Sequence, residues 1–545
     1  MVLKCFQKGL AWLGRQWWLG LLLWAAGLLA IRYPQQSLRA DDEAYYAQQV
    51  RWMLANHDWL TPTWWGVPRW DCPIGLHWLI GLSYQGFGIQ EWSTRLPSLV
   101  AAITAMVITW RLGEGFLPGR TGLWAAAMLA VMPLWVQSSH LATPDLLLVS
   151  LELLTLWGLL QSEGWPRQRL VWGTVAGMGL SLAFLAKGPM MVVPAIALLP
   201  YLVHRHSWHR HLTNPGLYAG LIGGAVPSLL WLGSSLTRYG PLPLYQLWEP
   251  FRTGLPVPLL PRLTTALWQV PVSTLPWFLL ALLGGWVLWQ RPEVDRKALW
   301  LGYPVGIWLL ITIFPGSSRS DSLQLYPPLA LLAGVGINHL GHLYGSGVPQ
   351  RYRLAVWLSW LLGVPGMLAI SAGAALLLSP GQLVPGELRP YAWIVLLTGL
   401  GAIFPWLIAL RRRRSVSPGQ RYLWQWGWLL GPWLGIAATL LTGLWGNYSA
   451  DIKTPLEAAA LQPVLSHNPI YMVQPGRDRE SILLSFYTPQ LAPSLPDWRQ
   501  LPSEAYAWIN TGLTPLTRTD YKTLANLGEW RLIKAPFFPS MTPRG

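Results

Sequence analysis

Apolar residues occur along this chain in long blocks, separated by short polar junctions. Blocks of about 17–25 apolar residues suit a helix crossing a bilayer. They recur at about 16–31, 93–111, 121–138, 144–161, 169–186, 189–203, 216–235, 272–289, 298–314, 323–341, 355–378, 391–410 and 423–445. The pattern predicts an all-α polytopic membrane protein with about thirteen transmembrane helices. Two polar-rich intervals, about 32–92 and 236–271, read as long loops, and the apolar blocks stop near residue 446. This predicts a transmembrane domain over 1–446 and a smaller domain over 447–545.

The first long loop carries periodic structure. Tyr46, Val50, Met53 and Leu54 share one helical face over 43–55, and Leu76, Leu79, Ile80 and Tyr84 do so over 76–87. Both stretches are expected to form helices lying in the membrane interface. Thr61-Pro62, Gly66-Val67-Pro68 and Cys72-Pro73 between them are turn signals. In the tail, 469–473 and 530–533 read as strands and 504–509 as a helix, which suggests a small α/β domain.

Charge sharpens the picture. Only 11% of residues are charged and 52% are apolar, whereas soluble domains run nearer about 25% charged. The net charge of +16 forms no stripe for nucleic acid, because the basic residues lie between apolar blocks. With the N-terminus in the cytoplasm, every second junction is basic: Arg111 and Arg120, Arg167 and Arg169, Arg205 and Arg210, then Arg291, Arg296 and Lys297, Arg351 and Arg353, and Arg411 to Arg414. The positive-inside bias then places the C-terminal segment outside, in the periplasm if the membrane is the bacterial inner membrane. Lys4, Lys8 and Arg15 precede the first block without a small-x-small cleavage pattern, so that block reads as an uncleaved anchor. Cys5 and Cys72 fall on opposite sides and are not expected to pair. The 38 tryptophans include interfacial belts and carry no function as a class.

The outward segments hold the unusual polar residues. They are Arg39 to Tyr46, His140 to Asp145, Ala186-Lys187-Gly188-Pro189, Trp248-Glu249-Pro250-Phe251-Arg252, and Ser317 to Asp321. Charges at span ends are costly unless they face a cavity or a partner. Their gathering on one face suggests a single polar site. Each has a plainer reading: Asp42 and Asp145 as helix caps, Lys187 as a snorkelling side chain, Arg252 and Arg319 as surface arginines.

The residues Asp42-Glu43-Ala44-Tyr45-Tyr46-Ala47-Gln48, Asp58-Trp59-Leu60-Thr61-Pro62 and Gly66-Val67-Pro68 resemble the first outer loop of the aminoarabinose transferase and protein O-mannosyltransferase relatives. The likeness continues through Glu91 to Pro97, Leu141 to Asp145, Lys187-Gly188-Pro189 and Tyr326 to Leu332. These relatives are polytopic glycosyltransferases of the GT-C type. The resemblance implies inverting transfer of a sugar from a polyprenyl-phosphate carrier to a lipid, protein or glycan acceptor on the outer face. It implies Asp42 as the catalytic aspartate with Glu43 beside it, and Asp145 as a second acidic position. Lys187, Arg252, Arg319, Tyr45 and Tyr46 are then the donor- and phosphate-binding set. A carboxylate would deprotonate the acceptor, and cations would stabilise the departing phosphate.

Departures from the family pattern carry information too. Asp71-Cys72-Pro73-Ile74 stands where many relatives have Glu-Lys-Pro-Pro, so the lysine expected near lipid phosphate is missing. Glu249-Pro250 stands where relatives have Glu-His, which removes a histidine ligand and argues against the zinc site of relatives. Oxygen ligands alone favour a hard divalent cation. Asp71, Asp145 and Glu249 are the candidate ligands, and the cofactor stays unassigned. His140 replaces an arginine common in relatives. Two other functions fit a polytopic chain with outward charges. One is a transporter or lipid flippase, although no internal repeat is evident. The other is a catalytically altered paralogue that binds carrier lipid, suggested by Cys72 and Pro250.

Overall fold

The computed structural model describes residues 17–29, 31, 36–204, 206–254, 259–291, 296–313, 319–346, 348–379, 388–411, 416–512 and 521–536. The chain is mostly helical and divides into two compact units. The first comprises Met1–Tyr33, Asp71–Leu76 and Pro97–Trp445. The second comprises Pro34–Trp70, His77–Leu96 and Gly446–Gly545.

Among the described residues, six helices are long and apolar enough to cross a membrane. They are Glu91–Phe116, Asp145–Gly164, Pro166–Val203, Pro215–Tyr239, Tyr352–Leu378 and Arg389–Leu410. Thr121–Leu129 and Pro133–Ser139, bent by 66°, make a seventh if they are counted as one broken span. The bend falls where Pro133 removes a backbone donor and disfavours helix at the residue before it. This is fewer than the thirteen apolar blocks. Among the described residues, Trp17–Leu29 covers 13 helical residues, Trp277–Gln290 has 14, and 169–203 runs on as one helical rod through the 3₁₀ turn Gly188–Met191. The 236–271 interval, expected as a loop, is mostly two helices, Leu242–Gly254 and Leu259–Ser273. Loop residues such as Pro and Gly mask an amphipathic helical period there.

Close helix packing rests on small residues. A Cβ at Gly177 would strike the Leu217 carbonyl, and one at Gly220 the Thr174 carbonyl. Helices Arg169–Lys187 and Pro215–Tyr239 therefore approach backbone to backbone, as membrane helices do where bulk is absent.

The second unit is built around a five-stranded sheet. Its strands are β1 Ile470–Val473, β2 Leu491–Leu495, β3 Tyr506–Asn510, β4 Lys522–Leu527 and β5 Trp530–Lys534. They lie in the order β2-β1-β3-β5-β4, with β1 parallel to β2 and β3, and β5 antiparallel to β3 and β4. Residues 504–509 were expected as a helix, but Tyr506–Asn510 is a strand near the sheet centre. Ala507, Trp508 and Ile509 are all fully buried, and contacts on both faces override a weak local helical preference. The helices expected at 43–55 and 76–87 form at Tyr45–Ala55 and Gly75–Phe87.

One core joins the first long loop to the tail. Leu38, Ala44, Tyr45 and Trp64 pack with Ile470, Met472, Leu483, Trp508 and Trp530. Polar bonds follow the same seam. Ser37 bridges Asn447, Ser449 Oγ donates to the Leu38 carbonyl, and Tyr487 Oη accepts from the Leu38 amide. Lys453 pairs with Glu91 at 2.6 Å.

At the surface of this unit Arg479 makes a bidentate bond to Asp451, both contacts 2.8 Å. The Arg479 guanidinium holds the Asp451 carboxyl below the ordinary aspartate value. A depressed folded-state pKa stabilises above the unfolded value and loses that contribution as pH falls through the folded value. Protection of the 446–512 segment from protease is therefore expected to weaken only below about pH 4. The exposed pair contributes at most about 1 kcal/mol. Asp451→Asn should show the weakened protection already at neutral pH, and an unchanged digestion profile would refute the role of the pair.

Candidate active site

The acidic motif folds as a single π-helical turn, Ala40–Ala44, that runs directly into helix Tyr45–Ala55. Such turns are rare and recur at functional sites. Its geometry is set by Glu43 and Arg95, both fully buried. Arg95 Nε donates to Glu43 Oε1 at 2.6 Å and Nη2 to Oε2 at 2.7 Å. The same guanidinium donates to Gln36 Oε1 and the Ser37 carbonyl, both at 2.8 Å. Glu43 Oε2 also accepts from the Arg39 amide at 2.8 Å. Both carboxylate oxygens of Glu43 are thus engaged, which fits a residue that braces the turn rather than one that moves protons.

Asp42 sits on the other side of the turn. Its side chain is 42% exposed and lies 3.7 Å from the Arg39 guanidinium. Of the two expected catalytic carboxylates, it alone has the access a general base requires. Tyr45 and Tyr46 point into packing. The Tyr45 ring lies 4.9 Å from Trp64 and takes a hydrogen bond from Arg477 at its hydroxyl. Tyr46 meets His77 edge-on at 5.4 Å, and His77 bonds Gln49. All of these residues belong to the second unit.

In the first unit, Lys187 ends helix Arg169–Lys187 and bonds both Asp145 and Asp321. Asp145 opens helix Asp145–Gly164, and Asp321 lies in the 3₁₀ turn Arg319–Leu325. Both aspartates are buried, and the lysine side chain is 17% exposed. The next residue, Gly188, has φ +59° and ψ −134°. Side chains are strained in this region, and a Cβ there would also stand 3.2 Å from Pro73. Lys187, expected as a donor-phosphate cation, thus has two carboxylates as its partners.

Glu249 and Arg252 lie on helix Leu242–Gly254 and are exposed. Arg319 begins its 3₁₀ turn, and its side chain lies outside the described residues. Asp71 is exposed, and Cys72 beside it is a buried free thiol. Cys5 lies outside the described residues. His140 closes its own helix end, with Nδ1 at 2.9 Å from the Val136 carbonyl. Among the described residues, no three His, Cys, Asp or Glu side chains converge as a metal site, and Asp71, Asp145 and Glu249 do not form one.

Three residues escaped the sequence reading. Arg95 lay within a quoted motif, but nothing in its spacing shows that it is buried against Glu43. Asp321 was visible, but its partner is more than a hundred residues away. Arg477 sits in a tail without motifs. Only the fold brings Arg95 to Glu43, Asp321 to Lys187 and Arg477 to Tyr45.

A family model described as dolichyl-phosphate-mannose-protein mannosyltransferase matches residues 71–231. An undecaprenyl phosphate-alpha-4-amino-4-deoxy-L-arabinose arabinosyl transferase of Pseudomonas paraeruginosa is 28% identical over 464 residues, 81% of this chain and 78% of that protein. Its namesake from Aeromonas salmonicida is 26% identical over 384 residues, covering 65% of this chain and 64% of that protein, just under two thirds. The crystal structure of ArnT from Cupriavidus metallidurans bound to undecaprenyl phosphate matches in fold. The TM-score is 0.72 at 18% identity, over 95% of this chain and 98% of that one. In sequence and fold the chain resembles membrane glycosyltransferases of the aminoarabinose transferase kind, and it is an integral membrane protein.

Proposed function

From that resemblance we propose that this chain is a GT-C type glycosyltransferase that moves a sugar from a polyprenyl-phosphate donor, with inversion, to a lipid, protein or glycan acceptor. The observation that carries the reading is the exposed Asp42 carboxylate on a turn fixed from behind by the buried Glu43–Arg95 pair. A preorganised base of this kind is what the reaction asks of the protein, because the donor already carries its phosphate leaving group.

Asp42 takes the proton from the acceptor hydroxyl or amine. The acceptor atom bonds to the anomeric carbon while the bond to the phosphate oxygen breaks on the opposite face. Carrier phosphate leaves with the bonding electrons. Arg252 and Arg319 stabilise that charge, and Glu43 positions rather than reacts. Lys187 with Asp145 and Asp321 braces the outer ends of three helical segments. No step is assigned to a metal.

The basic junctions support about thirteen crossings, with the N-terminus cytoplasmic and residues 447–545 in the periplasm of a bacterial inner membrane. The tail is a small α/β domain completed by the first outer loop, with which it shares a core. The deciding experiment is transfer of labelled sugar from a polyprenyl-phosphate donor in proteoliposomes of the full chain. Label appearing in an acceptor fraction is the expected result. Movement of intact donor between leaflets without transfer would instead establish a flippase.

A further inference from the structure

One buried amide of the first unit is unlike the others. Gln324 lies in the 3₁₀ turn Arg319–Leu325 and is 1% exposed. Neither its Nε2 nor its Oε1 has a hydrogen-bond partner among the described residues. Other buried amides engage at least one atom. Gln425 Nε2 donates to the Ile337 carbonyl at 2.9 Å, Asn214 Nδ2 to the Arg169 carbonyl at 2.9 Å, and Asn338 Nδ2 to Thr121 Oγ1 at 3.2 Å. Gln36 Oε1 accepts from Arg95, and Gln49 Oε1 bonds His77. Buried polar groups are paired as a rule, because burial strips their water and only a partner compensates. A leucine or methionine would fill the position of Gln324 without that cost. Packing therefore does not account for an amide there.

The turn that carries Gln324 is firmly held. Asp321 bonds Lys187, and Leu323 and Leu325 on either side of Gln324 are buried. The turn packs against helices Pro133–Ser139, Asp145–Gly164 and Tyr303–Ile313, and it leads directly into Tyr326–Gly345. Side chains three apart eclipse in a 3₁₀ turn, so Gln324 shares a face with Asp321. The chemistry of the amide limits what it can recognise. It offers two N–H donors and a carbonyl acceptor. An ionised phosphate supplies acceptors only, and a polyprenyl chain supplies neither. The hydroxyl groups of a sugar supply both.

We propose that Gln324 is a specificity-determining residue whose amide exchanges hydrogen bonds with the hydroxyl groups of the donor's sugar. The proposal rests on the glycosyltransferase reading and deepens it. The same turn opens with Arg319, to which the proposed mechanism gives the donor phosphate. A sugar joined to that phosphate is the hydroxyl-bearing group nearest to it. A site built to hydrogen-bond a hydroxyl discriminates strongly, because a ligand without one leaves the buried amide unpaired. Gln324 thus gives up stability in the free chain for selectivity in the complex.

The test uses the full chain in nanodiscs. The binding probes are bare undecaprenyl phosphate and the same lipid carrying 4-amino-4-deoxy-L-arabinose or mannose. Q324M keeps the length of the side chain and removes its hydrogen bonds, and Q324N keeps the amide on a shorter stem. The wild-type chain is expected to bind one sugar-bearing lipid more tightly than the bare lipid. Q324M should weaken that binding by about tenfold, the contribution of one or two neutral hydrogen bonds. Its affinity for bare lipid should stay near wild type, and its melting temperature should equal or exceed wild type. Q324N should fall between the two in sugar-bearing lipid binding. A lower melting temperature for Q324M would show an amide that serves the fold, alone or through a bound water, and would overturn the proposal. So would a wild-type chain that does not distinguish sugar-bearing from bare lipid, or a preference that survives in Q324M. A raised acceptor KM with unchanged donor binding would place the amide on the acceptor and overturn it too. If sugar-bearing lipid binds through Gln324 yet no sugar is transferred, the catalytic reading fails while this assignment stands.

Discussion

Asp42→Asn is expected to lower sugar transfer by about 10²–10⁴-fold, the usual contribution of a positioned general base. Asparagine is nearly isosteric with aspartate, and the turn does not depend on the lost charge. Its backbone course is set by Glu43, whose oxygens bind Arg95 and the Arg39 amide. The exposed contact to Arg39 at 3.7 Å is lost, and exposed pairs contribute about 0–1 kcal/mol. The melting temperature should therefore stay close to wild type while the initial rate with labelled donor collapses. Glu43→Gln is the contrasting variant. It leaves the buried Arg95 guanidinium without its counter-charge, so it should melt early and lose activity through folding. If Asp42→Asn kept the wild-type rate, the base would have to be sought elsewhere. If it lost stability as Glu43→Gln does, the division of labour between the two carboxylates would be wrong.

That division shows what the sequence could and could not reveal. The acidic motif, its place before a helix and the two helices of the first outer loop were legible, because they depend on local period and local caps. Apolar blocks announced a membrane protein, and among the described residues six helices, or seven with the bent pair, are long and apolar enough to cross. Residues 504–509 misled for the opposite reason. Their neighbours in β1 and β5 decide their state, and those strands come from elsewhere in the chain. The site follows the same rule. Asp42 could be picked out by its motif, whereas the roles of Glu43, Lys187 and Arg477 depend on partners 52, 134 and 432 residues distant. A charged residue read alone looks available for chemistry. Only its partners show whether that charge is already committed.

Lys187 carries that point to a second large effect. Replacing it with methionine is expected to destabilise the chain by about 3–5 kcal/mol, the cost of leaving a buried charge uncompensated. Asp145 and Asp321 would then lose the lysine charge they share, inside a region where the Asp145 side chain is 6% exposed and that of Asp321 is 2% exposed. The loss should appear as a lower melting temperature in detergent, with activity falling in proportion to the folded fraction. Removing one carboxylate as well, in K187M/D321N, should recover part of the stability, because the repulsion between the two aspartates disappears. An open phosphate-binding lysine would behave differently. K187M would then raise the donor KM at unchanged melting temperature, and Asp321→Asn would give no rescue. The two outcomes separate a brace between helix ends from a ligand to the donor. The two carboxylates already bound to Lys187 favour the brace, because they take up the charge that a donor phosphate would need.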